Sequence, residues 1–149
     1  MSHCEAHNIL ANFQHGFRKG KNIDMLILDF SKAFDTVPHK RLITKLKYYG
    51  ISCQVGEWIQ AWLTKRQQQV VLDGDVSSPA HVRSGVPQGT VLGPLMFLLY
   101  INDINEHISS SQIRLFADDC LLYREVRNEN DVKKLQDDLT YLEQWAKVW

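Results

Sequence analysis

The sequence predicts an α+β domain in which helices pack on one face of an antiparallel sheet. Three observations indicate this class: a short apolar run that ends at Asp29, two segments typical of β-hairpins, and several stretches with apolar residues at helical spacing. Strand, helices, hairpin, helix, hairpin and helix follow one another along the chain. At 149 residues with 44% apolar residues, the chain suits one globular domain with a substantial core.

The first half of the chain predicts a strand followed by two helices. Residues 24–29 are an apolar run bounded by polar residues, which is typical of a buried strand, and residues 31–37 then turn the chain. A helix over residues 38–49 follows, because proline suits a first turn and Gly50 suits a stop. Ser52 suits the N-cap of a second helix, which ends at a basic pair. We expect its apolar residues to share a core face with the first helix: Val55, Trp58, Ile59 and Trp62.

The second half predicts two hairpins and two helices. Residues 67–84 form a hairpin around the turn Asp73-Gly74, and a loop rich in glycine and proline leads to an apolar helix over residues 95–104. Residues 113–123 form a second hairpin with two aspartates at its tip. A last helix is indicated by an apolar stripe at spacings of three and four: Val132, Leu135, Leu139, Leu142, Ala146 and Trp149.

Composition excludes several classes of protein. The longest apolar run, residues 95–101, is too short to cross a bilayer, so we expect no membrane partner. Three widely separated cysteines without a Cys-x-x-Cys pair argue against structural zinc and favour a reducing compartment, so we expect an intracellular protein, nuclear or cytoplasmic. The net charge is zero, but residues 15–66 hold ten Lys/Arg against four Asp/Glu, whereas residues 101–149 hold six against ten. This asymmetry is compatible with binding to nucleic acid.

Three aspartates at the ends of apolar runs suggest a metal site. Asp29 ends the first strand, and Asp118 and Asp119 lie at the tip of the second hairpin. If the strand lies beside this hairpin, three hard oxygen ligands meet at one sheet edge, which suits Mg²⁺ and phosphoryl or nucleotidyl transfer. The alternative is that Asp29 merely ends a strand and the pair forms a solvated turn, because aspartate is common in turns.

Three segments in order resemble signature blocks of reverse transcriptases. They are residues 28–39 (LDFSKAFDTVPH), residues 84–94 (SGVPQGTVLGP) and residues 116–119 (FADD), preceded by residues 14–20 (QHGFRKG). The sequences of these blocks are most similar to those of the non-LTR (LINE-type) retrotransposon branch. The resemblance implies a polymerase palm and RNA-directed DNA polymerase activity, with an RNA template, a DNA primer and deoxynucleoside triphosphates as partners.

The resemblance also implies roles for individual residues. Asp29 and Asp118 would be the principal catalytic metal ligands, with Asp119 completing the carboxylate cluster and the main-chain carbonyl of Phe30 assisting. Together they would hold two Mg²⁺ ions, for which Mn²⁺ is a possible substitute.

Nucleotide binding is implied for a second group of residues. Phe34 would lie under the incoming sugar and exclude a 2′-hydroxyl, although a buried core phenylalanine is the simpler interpretation. Gln88 would contact the nucleotide, and Gly89 would let the backbone approach it closely. The simpler interpretation of this loop is a turn that leads into a helix.

Departures from the family pattern leave other functions open. We expect residues 1–22 to be a remnant of the fingers and residues 23–149 to be the palm, without a thumb or an endonuclease domain. The oligomeric state is not indicated. One alternative is a retroelement remnant that binds nucleic acid without polymerising. Another is an interaction module whose partner surface is formed by tryptophans, although a core position is favoured for each tryptophan. The tryptophans concerned are Trp58, Trp62, Trp145 and Trp149.

Overall fold

The computed structural model describes residues 21–51 and 53–149, which belong to two compact units. The first unit holds residues 21–30 and 104–149, and the second holds Ser31–Asp103. The helices are α1 (Ala33–Thr36), α2 (His39–Tyr48), α3 (Cys53–Thr64), α4 (Leu92–Ile101) and α5 (Glu129–Val148). The strands are β1 (Asn22–Asp29), β2 (Gln67–Gln68), β3 (Val71–Leu72), β4 (Asp75–Val76), β5 (Ala80–His81), β6 (Gln112–Phe116) and β7 (Asp119–Val126).

The first unit is a three-stranded antiparallel sheet with one long helix packed on it. The strand order is β1-β7-β6, so β7 is central, and α5 packs against β7. Cys120 and Leu122 on β7 are wholly buried, and burial raises the pKa of the Cys120 thiol to about 11. The predicted second hairpin and last helix are therefore confirmed, as is the α+β class. The predicted first strand also forms, but none of the residues of β1 is buried, so the expectation of a buried strand is wrong.

The start of α5 is fixed by polar contacts at one end of this sheet. The side chain of Asn128 caps the helix by accepting a hydrogen bond from the backbone N–H of Asp131 at 3.1 Å. The Asp131 carboxylate accepts from Arg124 at 2.8 Å, and this bond lowers the pKa of the carboxyl group. Nearby, hydrogen bonds from Arg127 and Lys21 lower the pKa of Glu125 to about 2. Carboxylates at this end of the sheet thus have cationic partners.

The second unit is built on three packed helices. Helix α2 packs against both α3 and α4. Its predicted stop is confirmed, because Gly50 adopts φ +83° and the backbone N–H of Ile51 donates to the Leu46 carbonyl at 2.8 Å. The apolar side chains buried here include Leu42, Leu46, Ile59, Leu63, Met96 and Phe97. None of the described helices is both long and apolar enough to span a membrane.

Some predictions for the second unit need correction. The predicted hairpin over residues 67–84 is two separate pairs of short strands, β2 with β5 and β3 with β4, although its turn lies at Asp73-Gly74 as expected. Helix α4 begins at Leu92, three residues before the predicted start, because proline is tolerated in a first helical turn. The predicted cap Ser52 lies outside the described residues, as do residues 1–20.

The prediction that the tryptophans are core residues is wrong for Trp58. Its side chain is 53% exposed and stacks on Trp62, with ring centroids 6.0 Å apart. Helix α3 instead buries Gly56, Ile59 and Leu63, so Ile59 is the one buried member of the predicted set, and Val55 is 58% exposed. Trp145 is buried as expected. Helical spacing alone therefore did not show which of the two apolar stripes of α3 faces the core.

A buried lysine joins α2 to the end of α4. Lys45 is only 3% exposed, and its ammonium group donates to Asp103 and to the Tyr100 carbonyl, both at 2.6 Å. We expect Lys45→Met to lower the free energy of unfolding by about 3 kcal/mol, because it removes a buried ammonium group that contacts the Asp103 carboxylate. Urea denaturation measures this. The double variant Lys45→Met with Asp103→Leu should recover part of the loss, and equal losses in the single and double variants would contradict this account.

Candidate active site

Two of the three predicted carboxylates face each other across neighbouring strands. In the antiparallel register of β1 and β7, Asp29 lies directly opposite Asp119, which in turn lies opposite Phe116 on β6. Residues opposite each other in antiparallel strands share a face, and their Cα atoms are about 5 Å apart. The three residues therefore form one row at the end of the sheet.

The row lies on an open face of the sheet. Asp29 and Asp119 are exposed, and Phe116 is 47% exposed. Ile27, on the same face of β1 one row further from the edge, is 75% exposed. The first unit therefore presents its two opposed carboxylates on an accessible surface with apolar side chains beside them.

Asp118 lies in the two-residue turn that joins β6 to β7. The other turn residue, Ala117, has φ +52°, which is unusual for a residue with a side chain and costs about 1 kcal/mol. Strained backbone of this kind is concentrated at functional sites. The backbone of this turn is therefore strained directly beside the opposed carboxylates.

The carboxylates at this edge lack cationic partners in the described part of the chain. None of the side chains of Asp29, Asp118 and Asp119 makes an ion pair with another described residue. Like charges directly opposite each other destabilise a sheet. The donor set, all carboxylate oxygen, is of the kind that Mg²⁺ prefers.

The described residues contain no group of three or more His, Cys, Asp or Glu side chains close enough together to hold a metal ion. The structure thus brings Asp29 and Asp119 together and places Asp118 next to them in the chain. The three-residue ligand set stays a prediction.

The opposed carboxylates give a stability prediction. We expect Asp29→Asn to raise the melting temperature of the metal-free protein by about 1–3 °C, because it removes a like-charge pair that costs up to about 1 kcal/mol. Asp24→Asn is a matched control, because Asp24 lies opposite Arg124 in the same pair of strands and should not stabilise. Differential scanning calorimetry in a chelator measures both. A lower melting temperature for Asp29→Asn would contradict the repulsion.

The predicted nucleotide-binding residues belong to the second unit, where hydrogen bonds join two segments. The backbone N–H of Val86 donates to the Phe34 carbonyl at 2.7 Å, and that of Gly85 donates to the Val37 carbonyl at 2.8 Å. The Ser84 hydroxyl donates to the Asp35 carbonyl at 2.9 Å. The loop that carries Gln88 is therefore fixed to the segment that carries Phe34.

Gly85 is where the two segments approach most closely. It has φ +86°, and a Cβ atom there would lie 2.7 Å from the Asp35 carbonyl oxygen. Its own carbonyl lies 2.9 Å from both Nε2 of His39 and Nη2 of Arg66. The resemblance implies that Gly89 lets the backbone approach the nucleotide, whereas Gly85 in the same loop serves close approach between two backbone segments.

Two further predicted residues contact aromatic neighbours. The Phe30 ring is half-buried and meets the Trp145 ring edge-on, with centroids 6.3 Å apart. The Phe34 ring is half-buried and packs on the buried Phe97, with centroids 4.5 Å apart. Phe34 is therefore attached to the core without being enclosed by it.

Sequence reasoning missed Asp35, His39 and Arg66. Asp35 accepts a hydrogen bond from the Gln88 side chain at 3.0 Å, and the other two hold the Gly85 carbonyl. Asp35 and His39 stand inside the first family block, so the block marked them but gave them no role. Arg66 stands outside every block. The sequence had assigned it to a helix end and, in the alternative without polymerase activity, to contacts with nucleic acid.

Comparison with known proteins decides the family. The family model described as reverse transcriptase (RNA-dependent DNA polymerase) matches residues 1–149. The chain belongs to the reverse transcriptase family. The resemblance to the non-LTR branch is also confirmed, because the curated relatives of this reverse transcriptase chain are polymerases of mobile elements.

Three of these relatives illustrate the match. A probable RNA-directed DNA polymerase from transposon X-element of Drosophila melanogaster is 30% identical to this reverse transcriptase chain, in an alignment that covers 99% of this chain. The corresponding protein from transposon BS of the same species is 30% identical over 97%. The RNA-directed DNA polymerase from mobile element jockey, again of Drosophila melanogaster, is 31% identical over 82%. The chain spans 17%, 17% and 14% of the lengths of these relatives.

Proposed function

We propose that this chain carries the catalytic centre of an RNA-directed DNA polymerase. In this reaction a primer 3′-oxygen attacks the α-phosphate of a deoxynucleoside triphosphate opposite an RNA template, and pyrophosphate leaves. The observation that carries the proposal is the opposition of Asp29 and Asp119 on an open sheet face, with Asp118 in the adjoining turn. Membership of the reverse transcriptase family supports it.

The carboxylates would serve as the metal ligands. Asp29, Asp118 and Asp119, with the main-chain carbonyl of Phe30, would hold two Mg²⁺ ions, and Mn²⁺ could replace them. When bound, such ions lower the pKa of the attacking hydroxyl and neutralise charge on the phosphoryl group. Because β1 and β7 are joined along their whole register, Asp29 and Asp119 are held at fixed spacing before any ligand arrives.

The second unit would bind the nucleotide. Gln88 would hydrogen-bond to it, and Gly89, which is exposed with φ +76°, would leave its backbone accessible. Phe34 would support the sugar, because its ring rests on Phe97 and is only half-buried. Each assignment comes from the family resemblance and agrees with the accessibility of the residue.

Phe34 gives a specificity prediction. We expect Phe34→Val to reduce the preference for deoxynucleotides over ribonucleotides at least about tenfold, because removing the ring opens space for a 2′-hydroxyl. Single-nucleotide incorporation with each substrate gives the ratio of kcat/KM values. The deoxynucleotide rate of the same variant controls for damage to the fold, and an unchanged ratio would assign Phe34 to the core alone.

Primer extension tests the proposed function directly. The purified full chain, with its folding confirmed by circular dichroism, is incubated with a primed RNA template, deoxynucleotides and Mg²⁺ or Mn²⁺. We expect incorporation that stops when the metal is chelated. No incorporation by the folded chain would reject the proposal.

A second function is favoured by the charge of the second unit. Ser31–Asp103 contains eight Lys/Arg and five Asp/Glu, so a chain without polymerase activity could still bind nucleic acid through phosphate contacts. Binding to RNA that falls steeply with salt concentration, without any incorporation, would identify this alternative. It also fits a nuclear or cytoplasmic location.

A further inference from the structure

The contact between Asp35 and Gln88 has no assigned role. Nε2 of Gln88 donates to Oδ1 of Asp35 at 3.0 Å, although the two residues are 53 positions apart. Both side chains are exposed. An isolated surface hydrogen bond is weak, so its importance depends on whether the surrounding backbone holds both partners in place.

The backbone does hold them. The segments of Asp35 and Gln88 are joined by the hydrogen bonds of Val86 to Phe34, Gly85 to Val37 and Ser84 to Asp35. Hydrogen bonds within the loop also restrain it on the other side of Gln88. The Thr90 hydroxyl donates to the Pro87 carbonyl at 2.8 Å and accepts from the backbone N–H of Gly93 at 3.0 Å. Gln88 therefore reaches Asp35 from a backbone with little freedom to move.

The chemistry of the pair fixes which way the amide of Gln88 points. An ionised carboxylate only accepts hydrogen bonds, so the NH₂ group must face Asp35. The Oε1 atom of Gln88 and one N–H then remain for another partner. A nucleotide offers donors that suit a free amide oxygen, namely its sugar hydroxyls and base amino groups.

The same pair lines a cleft of suitable size and charge. The cleft has a volume of about 450 Å³, within the usual range for small-molecule sites. Lys32 and Arg83 also line it, and neither side chain has an ion-pair partner among the described residues. A phosphate-bearing ligand would supply the missing negative charge.

We infer that Asp35 is a positioning residue that orients the Gln88 amide, with its oxygen directed to a hydroxyl-bearing nucleoside triphosphate. This rests on the proposed contact between Gln88 and the nucleotide. Two effects of Asp35→Asn on nucleotide affinity have opposite signs. Removing a negative charge beside an anionic ligand removes Coulomb repulsion and should tighten binding, whereas loss of amide orientation should weaken it.

A double-mutant cycle on the full chain tests the inference. The dissociation constant of a deoxynucleoside triphosphate is measured by calorimetry, without primer, for the parent, Asp35→Asn, Gln88→Met and the double variant. We expect Asp35→Asn to weaken binding about fivefold in the parent and not at all in the Gln88→Met background. Asp75→Asn controls for charge, because Asp75 lies in the same unit and its side chain has no described partner.

A second measurement follows the amide itself. In ¹⁵N-labelled protein, the side-chain NH₂ signal of Gln88 should shift in Asp35→Asn and remain unchanged in Asp75→Asn. An unchanged Gln88 signal in Asp35→Asn, equal weakening in both backgrounds, tighter binding, or no nucleotide binding by the parent would each overturn the inference. Primer extension is not part of this test, so failure to polymerise would contradict only the proposed function.

Discussion

Asp118→Asn should abolish metal-dependent incorporation of deoxynucleotides while leaving the fold intact. We expect the rate to fall by at least about a hundredfold, because changes to residues that only orient a metal's ligands already cost about 10–100-fold. The residue lies in the turn between β6 and β7, so asparagine, which suits turns, should be accommodated there. The measurement is single-nucleotide extension of a primed RNA template.

Asp137→Asn is the matched control for this result. Asp137 is exposed on α5 of the same unit, and its side chain has no described partner, so the variant makes the same change in charge away from the sheet edge. We expect its activity to equal that of the parent. Equal incorporation by the parent and Asp118→Asn would remove Asp118 from the metal ligands.

Gly85→Ala should destabilise the second unit through both backbone strain and a backbone clash. The φ of +86° disfavours a side chain by about 1–2 kcal/mol. The new Cβ would also lie 2.7–2.9 Å from three backbone atoms of Asp35, which cannot rotate away as a side chain can. Adding the usual cost of overpacking, we expect the free energy of unfolding to fall by about 3 kcal/mol.

Two other glycines separate the strain from the clash. Gly50 has φ +83° and Gly89 has φ +76°, and in both a Cβ atom would meet nothing within 4 Å. Gly50→Ala and Gly89→Ala should therefore cost only about 1–2 kcal/mol in urea denaturation. Equal losses for all three variants would show that the close approach of Gly85 to Asp35 does not affect the free energy of unfolding.

The candidate site was predictable from sequence where a residue's role depends on its own chemistry. Asp29, Asp118 and Asp119 are carboxylates at the ends of apolar runs, and the family blocks marked them in order. Their pairing was not predictable, because the register of β1 against β7 decides that Asp29 faces Asp119. A shift of one residue would have placed the two on opposite faces of the sheet.

The fold was predictable where apolar periodicity was long and strong. Helix α5 and the hairpin of β6 and β7 lie close to their predicted positions. The prediction failed at Trp58, because α3 carries two apolar stripes and only packing against α2 selects the one that is buried. It also missed Lys45, whose burial depends on Asp103 at the end of α4.

The sequence by itself determined the element types, the reverse transcriptase family and the residues with the chemistry to bind metal or nucleotide. These follow from local side-chain chemistry and from motifs that can be read along the chain. Only the tertiary structure decided that Asp29 opposes Asp119, that Gly85 meets the backbone of Asp35, and that Asp35 holds Gln88. Such contacts join residues about 50 to 90 positions apart, and they are set by strand register and loop packing, which no local pattern encodes.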